Sequence, residues 1–355
     1  MEEKKGVLAV DVGGGTQDIL LYQPGVEMEN NVKLVLPSQT RIVGQNIRRL
    51  TEQKRNIFLH GYLMGGGASS GAVKDHLKAG LKVYATHQAA LTIKDDIDRV
   101  TALGVQIVEE PPEGCHPVEF GDISLHSLEK ALGEFNLELP PVFAFAVQDH
   151  GFSPHESNRN FRFSHWQEFL SSGGHLSDLI YDENSLPPYF TRMKAVLDSC
   201  GEKAQKIWLM DTGAAAIMGA LEDPEVKRRA ANQGCLLVNV GNQHTIAFLL
   251  SGSRVYGVFE HHTGRLTPEK LSDYLTRFRT GEISHEEVFN DHGHGCAVLQ
   301  EARSFSFDFT AVTGPRRSLA SHTGYLAVPR GDMMLSGAFG LAKSVRYKMG
   351  EPLFE

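Results

Sequence analysis

Residues 6–22 read GVLAVDVGGGTQDILLY. The opening seven, GVLAVDV, form an apolar run between turn signals, too short for a helix and the right length for a strand. Gly13, Gly14, Gly15 and Thr16 interrupt it, and a second run, QDILLY, follows before the turn at Pro24 and Gly25. The stretch therefore reads as strand, glycine turn, strand. Glycine loops that hold nucleotides usually lead from a strand into a helix, whose N-terminus then supports the phosphates. A loop between two strands fits neither a P-loop, which needs GK[ST], nor a dinucleotide fingerprint, which needs a following helix. It does suit a hairpin wrapped around phosphate. Glycines without Cβ let backbone N–H groups approach the oxygens, Thr16 adds a hydroxyl, and Asp11 at the strand end can reach a magnesium ion directly or through its waters.

The same grammar returns about 230 residues later, where CLLVNV (235–240), GNQH (241–244) and TIAFLL (245–250) again make strand, turn and strand. Two similar halves facing one another is the simplest interpretation. Between them, segments 57–61, 81–86, 105–110 and 141–147 read as strands separated by short helical patterns, which argues for α/β layers with a mainly parallel sheet. Residues 32–43 read as further strand and 45–55 as a polar helix. The stretch 148–190, rich in Gly, Ser, Asn and His with paired Pro187 and Pro188, reads as long irregular structure, and 222–233 as exposed and charged. Thr267 and Gly281 bracket one C-terminal helix, and Ser284 with Glu287 opens another. The boundaries expected are a first lobe over 1–230, with an inserted α/β segment at about 57–205 and a connecting helix at 212–221, and a second lobe over 231–355.

On these motifs the chain resembles the superfamily that contains actin, the sugar and acetate kinases and the heat-shock chaperones. DVGGGTQDI is similar to the form DxGGGTxDh of bacterial actin-like proteins, and the other pieces follow in order. MDTGAAAIMGAL resembles the first connecting helix, with Asp211 on the acid that precedes it. VNVGNQHTIAFLL stands where the second phosphate motif belongs, FTAVTGPRRSL resembles the adenosine strand and turn, and GDMMLSGAFGLAKSV the second connecting helix. The resemblance implies a two-lobed actin-like ATPase (ribonuclease H-like) α/β fold with a nucleotide cleft between the lobes, and ATP with magnesium as cofactors. By the same resemblance, Gly13, Gly14, Gly15, Thr16, Gly241, Asn242, Gln243, His244 and Thr245 would hold phosphates. Thr313, Gly314, Arg316 and Gly337 would hold adenosine, and Asp11 and Asn239 magnesium through its waters. Asp11 and Asp211 would be the catalytic pair, with Asp211 orienting water or an acceptor hydroxyl as base. Asp211 equally suits the N-cap of its helix.

Two positions depart from the pattern. Asn239 replaces the acid of the second phosphate motif and brings no charge to a metal, and Pro315 replaces the second glycine of the adenosine turn. Both leave nucleotide binding intact as an expectation and weaken the case for fast turnover. The leading functional expectation is an ATP-dependent phosphotransferase or ATPase acting on a small molecule or protein. The alternative is a nucleotide-gated binding protein with little or no turnover. The whole chain also resembles a prokaryotic family labelled as related to the pyruvate formate-lyase activating enzyme. Radical chemistry of that type needs a CxxxCxxC cluster, and Cys115, Cys200, Cys235 and Cys296 have no such spacing.

The remaining signals are coarser. Gly65, Gly66, Gly67, Ser69 and Ser70 lie between a strand and a helix, the geometry of an anion or substrate site at a helix N-terminus. His261, His262, His292 and His294 near Cys296 invite a metal reading, but no HxxxH or HExxH sits on a helix, so loops lining the cleft are favoured. Thirty-five Lys and Arg against 43 Asp and Glu give a net charge of −8, which argues against nucleic acid and anionic membranes as partners. No apolar run is long enough to span a bilayer and the start, MEEKK, is unlike a leader, so a cytoplasmic location is expected. An oligomer stays open.

Overall fold

The computed structural model describes residues 5–153 and 156–354. β1 (Val7–Val12) and β2 (Thr16–Tyr22) form the first hairpin, with Asp11 directly opposite Asp18, and β3 (Val32–Pro37) extends it antiparallel. Every residue of β1 is buried. Leu8, Val10 and Val12 feed one core and Val7 and Ala9 another, which is why this strand is a continuous apolar run rather than an alternating one. The strand read over 32–43 stops early: Pro37 closes β3 and the helix Gln39–Glu52 begins at once, longer at its start than the one expected at 45–55. Its inward residues Val43, Ile47 and Leu50 keep helical spacing, so the strand reading had absorbed its first turn.

β4 (Ile57–Gly61), β5 (Val83–Ala85), β6 (Val105–Ile107) and β7 (His116–Phe120) form a separate, wholly parallel sheet in the order β6-β5-β4-β7. The chain then returns to the first sheet with β8 (Val142–Val147), parallel to β1. β9 (Ile180–Asp182) lies at the far edge beside β10 (Lys206–Met210), giving the order β3-β2-β1-β8-β10-β9. Residues 148–190 are not irregular throughout. They contain the helix Asn158–Ser171, NRNFRFSHWQEFLS, in which Phe163, Trp166 and Leu170 are buried together with Arg162, Phe169 packs against the same core, and Phe161 lies off it. A charge on the buried face and an aromatic, Phe161, away from it blur the periodic signal.

The second lobe repeats the first. β11 (Cys235–Val240), β12 (His244–Ser251) and β13 (Arg254–His262) form an antiparallel meander extended by β14 (Gly295–Val298), while β15 (Phe309–Thr313) and β16 (Tyr325–Leu326) continue in parallel on the other side of β11. Each lobe thus has a meander whose first strand pairs in parallel with a later one. This duplicated order is the two-lobed actin-like, ribonuclease H-like architecture. The expected caps are in place: Thr267 accepts from Lys270 N, Gly281 takes φ 73°, and Ser284 accepts from Glu287 N.

Two small-residue helices, Thr212–Ala220 and Ser336–Lys348, pack on each other in the core that joins the sheets. A Cβ on Gly219 would overlap the Ser336 carbonyl and one on Gly340 the Ala215 carbonyl, so glycine is what permits this approach. The stretch 222–233 is less exposed than its composition implies. Asp223 caps the helix Pro224–Asn232, and Glu222 is buried, accepting from Lys343 Nζ (2.5 Å) and Arg330 Nε (2.9 Å). Among the described residues no helix is long and apolar enough to cross a membrane.

Candidate functional site

A cleft of about 1380 Å³ lies where the two hairpins meet the small parallel sheet. Each hairpin closes identically: Gly13 N donates to Thr16 O (2.8 Å) and Gly241 N to His244 O (2.9 Å). Gly13 and Gly14 line the cleft from one side and Gly241, Asn242, Gln243 and His244 from the other. The tips touch, since a Cβ on Gly14 would stand 2.6 Å from the Gln243 side chain and one on Gly15 would stand 2.8 Å from Asn242 Nδ2. Glycine at 14 and 15 lets the Gln243 and Asn242 amides lie directly on the first hairpin's backbone. Asn239, at the position in β11 that Asp11 holds in β1, also lines the cleft.

Other residues singled out in the sequence lie outside this lining. Thr16 begins β2 with its hydroxyl 3.5 Å from Asp18 Oδ2, and Thr245 is buried against Thr263 (3.0 Å). Thr313 shares a hydrogen bond with Ser336 (2.7 Å), Gly314 packs on Asn239 and Val240, and Arg316 is exposed with its N–H on Val240 O. Gly337 abuts the Asp11 carboxylate. Gly65, Gly66 and Gly67 line the cleft, but Ser69 donates to Gly66 O (2.6 Å) and Ser70 to Thr92 O (2.9 Å), so both hydroxyls are spent shaping the loop.

Asp11 sits one residue behind the first hairpin and accepts from Thr212 Oγ1 (2.5 Å). Burial pushes its carboxyl up to about 7 and that of Asp18 up to about 8, and Asp18 Oδ1 is buried without a hydrogen-bond partner. Asp211 is the N-cap of its helix, Oδ1 accepting from Gly213 N (2.9 Å). Its other oxygen is taken by Arg162 Nη1 at 2.8 Å.

Arg162 organises the cleft floor. Its Nε reaches both oxygens of Glu260 (2.9 and 2.8 Å), its Nη1 also donates to Asp149 O, and its guanidinium lies 5.4 Å from the Trp166 ring. Trp166 Nε1 and Gln148 Nε2 complete the shell of Glu260. One cation from the helix 158–171 therefore joins the first-lobe acid Asp211 to Glu260 on β13 of the second lobe. Burial opposes ionisation of Glu260, and the Arg162 charge overcomes it, holding this carboxyl well below its ordinary range. Nearby, Arg192 forms a two-toothed pair with Asp122 (2.7 and 2.9 Å), while Asp149 accepts from the N–H groups of Arg192 and Met193.

Histidines from three elements converge beside Glu260. The ligating atoms of His150, His244 and His294 lie within 4.8 Å of one another. Burial drives His150 well below its usual value and His294 down to about 3, so both rings are neutral at pH 7. The sequence held no sign of the Arg162 bridge, because its helix was unread. His150 follows β8, and no spacing connects it to His244 or His294. The cysteines stay apart: Cys200, Cys235 and Cys296 are buried in three different cores, and Cys115 is half-buried.

No curated protein matches this sequence. Among solved structures, the chain is similar to the PilM-PilN type IV pilus biogenesis complex, at 9% identity and TM-score 0.41 over 98% of this chain and 99% of that one. It is also similar to the ethanolamine utilization protein EutJ from Carboxydothermus hydrogenoformans, at 9% identity and TM-score 0.32 over 96% of this chain and 90% of that one. A third is MreB5 of Spiroplasma citri bound to ADP, at 10% identity and TM-score 0.36 over 98% and 99%. The architecture itself rests on the strand orders above. Residues 64–319 match a family model, and the chain belongs to that family, described as "Putative pyruvate format-lyase activating enzyme (DUF1786)".

Proposed function

We propose that the protein binds magnesium-ATP between its two hairpins and uses it for phosphoryl transfer or hydrolysis. The observation that carries this reading is the pair of identically closed glycine hairpins facing each other across one cleft. Their free N–H groups supply donors to phosphate oxygens, and the absent Cβ atoms let those oxygens approach. Magnesium takes hard oxygen ligands. Asp11 and Asp18, opposed across β1 and β2, fit it: both carboxyls are pushed up by burial and Asp18 Oδ1 has no hydrogen-bond partner, the condition of a pair of acids lacking a cation. The ion would supply charge neutralisation at the phosphates. The chain's own residues would grip the phosphates with both hairpins, and Asn239 would orient water or phosphate as a neutral amide.

A second reading is a nucleotide-gated binding protein, favoured by one observation. Asp211, the base implied by the resemblance, has both oxygens engaged, one by its own helix and one by Arg162. The Arg162 bridge would then report lobe angle to a partner rather than serve chemistry. Phosphate release from ATP divides the two. Steady release that falls at least tenfold in Asp211→Asn supports catalysis. Release no faster than the buffer blank, alongside tight ATP binding, supports gating, and absence of binding at millimolar nucleotide removes both.

A further inference from the structure

We propose that His150, His244 and His294 form a site for one divalent transition-metal ion of the zinc type at the floor of the cleft. His150 lies just beyond β8, His244 opens β12 and His294 directly precedes β14, so the fold brings three elements from both lobes to one point. The ring centroids stand 4.8 Å apart for His244 and His294, 5.4 Å for His150 and His294, and 5.6 Å for His150 and His244.

The independent observation is His294 itself. It is 0% exposed, and neither ring nitrogen has a hydrogen-bond partner. An imidazole buried with donor and acceptor both unmade forfeits the satisfaction that nearly every buried polar group finds, and a metal ion on one nitrogen would remove that deficit. Behind His244, Glu260 Oε1 stands 3.4 Å from Nδ1, too bent for a full hydrogen bond and placed as the carboxylates that orient metal-bound histidines are. Arg162 and Trp166 hold Glu260 from the other side, so it steers the ring rather than binding the ion.

Three imidazoles select zinc, cobalt, nickel, copper or ferrous ions over magnesium and calcium, which prefer oxygen. At the ~2.0–2.1 Å bonds of a tetrahedral site, ligand nitrogens are roughly 3.4 Å apart, so nitrogens now up to 4.8 Å apart must draw together by as much as ~1.4 Å, a side-chain adjustment. Three protein ligands leave a fourth position. His150 and His244 both line the cleft, so that position opens to it and would take water or an anionic oxygen of whatever the cleft binds. The site is distinct from Asp11 and Asp18 and does not rest on nucleotide binding.

The test uses tag-free protein stripped with a chelator and titrated with cobalt(II) alone. One equivalent is expected to bind with the ligand-field absorption of a four- or five-coordinate ion, and one equivalent of zinc should displace it. His150→Asn, at the cleft wall, and His294→Gln, in the interior, should each weaken cobalt binding at least tenfold, while His292→Asn, on an exposed turn, should not. Circular dichroism checks that each variant is folded, and His150→Asn decides the matter if His294→Gln is not. No bound cobalt at micromolar concentration in the wild type, or equal affinity in His150→Asn, overturns the proposal. Melting with magnesium-ATP in metal-free protein reads the nucleotide site separately.

Discussion

Replacing Arg162 by Met keeps most of the aliphatic stem that packs near Trp166 and deletes the charge that Asp211 and Glu260 share. The side chains of Arg162, Asp211 and Glu260 are 5%, 11% and 1% exposed, so the shared charge is largely shielded from water. Removing one partner of such a buried group leaves uncompensated charge and costs about 3–5 kcal/mol. With an unfolding entropy of ~2.1 cal/mol/K per residue, a chain of this length has about 0.7 kcal/mol/K, so melting should fall by roughly 4–7 °C at pH 7.5. The pH dependence is more discriminating. In the wild type the folded-state Glu260 carboxyl is held below its unfolded value, so its contribution is present above the ordinary carboxylate range and is lost only in acid. Without Arg162, burial pushes the same carboxyl above its unfolded value, so stability is lost as pH rises through the new value. The gap between wild type and Arg162→Met should therefore be widest near pH 8 and narrow toward pH 5, and adding Glu260→Gln should recover part of it. Differential scanning calorimetry across that range is the assay. A variant melting within 1 °C of wild type, or a gap constant from pH 8 to pH 5, would refute the bridge as the organiser of the cleft.

The paired acids behind the first hairpin behave in the opposite sense. Because burial raises both Asp11 and Asp18 to about 7 and 8, the stability they contribute is present at low pH and lost as pH climbs through those values. Asp18→Asn should thus melt above wild type at pH 8 in the absence of divalent ions, with the difference closing toward pH 5; urea titrations at both pH values check the order. Gly340→Ala places a methyl inside the Ala215 carbonyl and should destabilise by about 1–3 kcal/mol or more, read as a lower denaturation midpoint. Gly71→Ala, within the helix Gly67–Lys78 and with nothing near its added methyl, should instead stabilise by about 0.4–1 kcal/mol by the same measurement.

The central hairpins of the two large sheets were legible because their strands announce themselves, whereas 141–147, read together with the strands of 57–110, joins the first sheet beside β1. β1 and β11 are apolar runs that end at glycine turns, and no helix of six residues could bury such a run. The caps at Thr267, Gly281 and Ser284 were legible for a similar reason, since each is a local chemical event. The cleft floor was not. Its organising residue is a charge on the buried face of a helix, and its partners, Asp211 at a helix N-cap and Glu260 on β13, are 49 and 98 residues away. The histidines show the same limit: His261, His262, His292 and His294 drew notice by proximity, whereas the triad uses His294 with His150 and His244, which only the fold joins. Local pattern reveals elements, while long-range convergence of charged groups leaves no period to read.

Nucleotide bound between the two hairpins would shield both turns at once. Amide hydrogen exchange with and without magnesium-ATP tests it most directly. Peptides covering 13–16 and 241–244 should both gain protection at saturating nucleotide, with Thr212 and Gly213 at the cleft wall following. Protection confined to one hairpin, or to surfaces away from both, would place the nucleotide elsewhere.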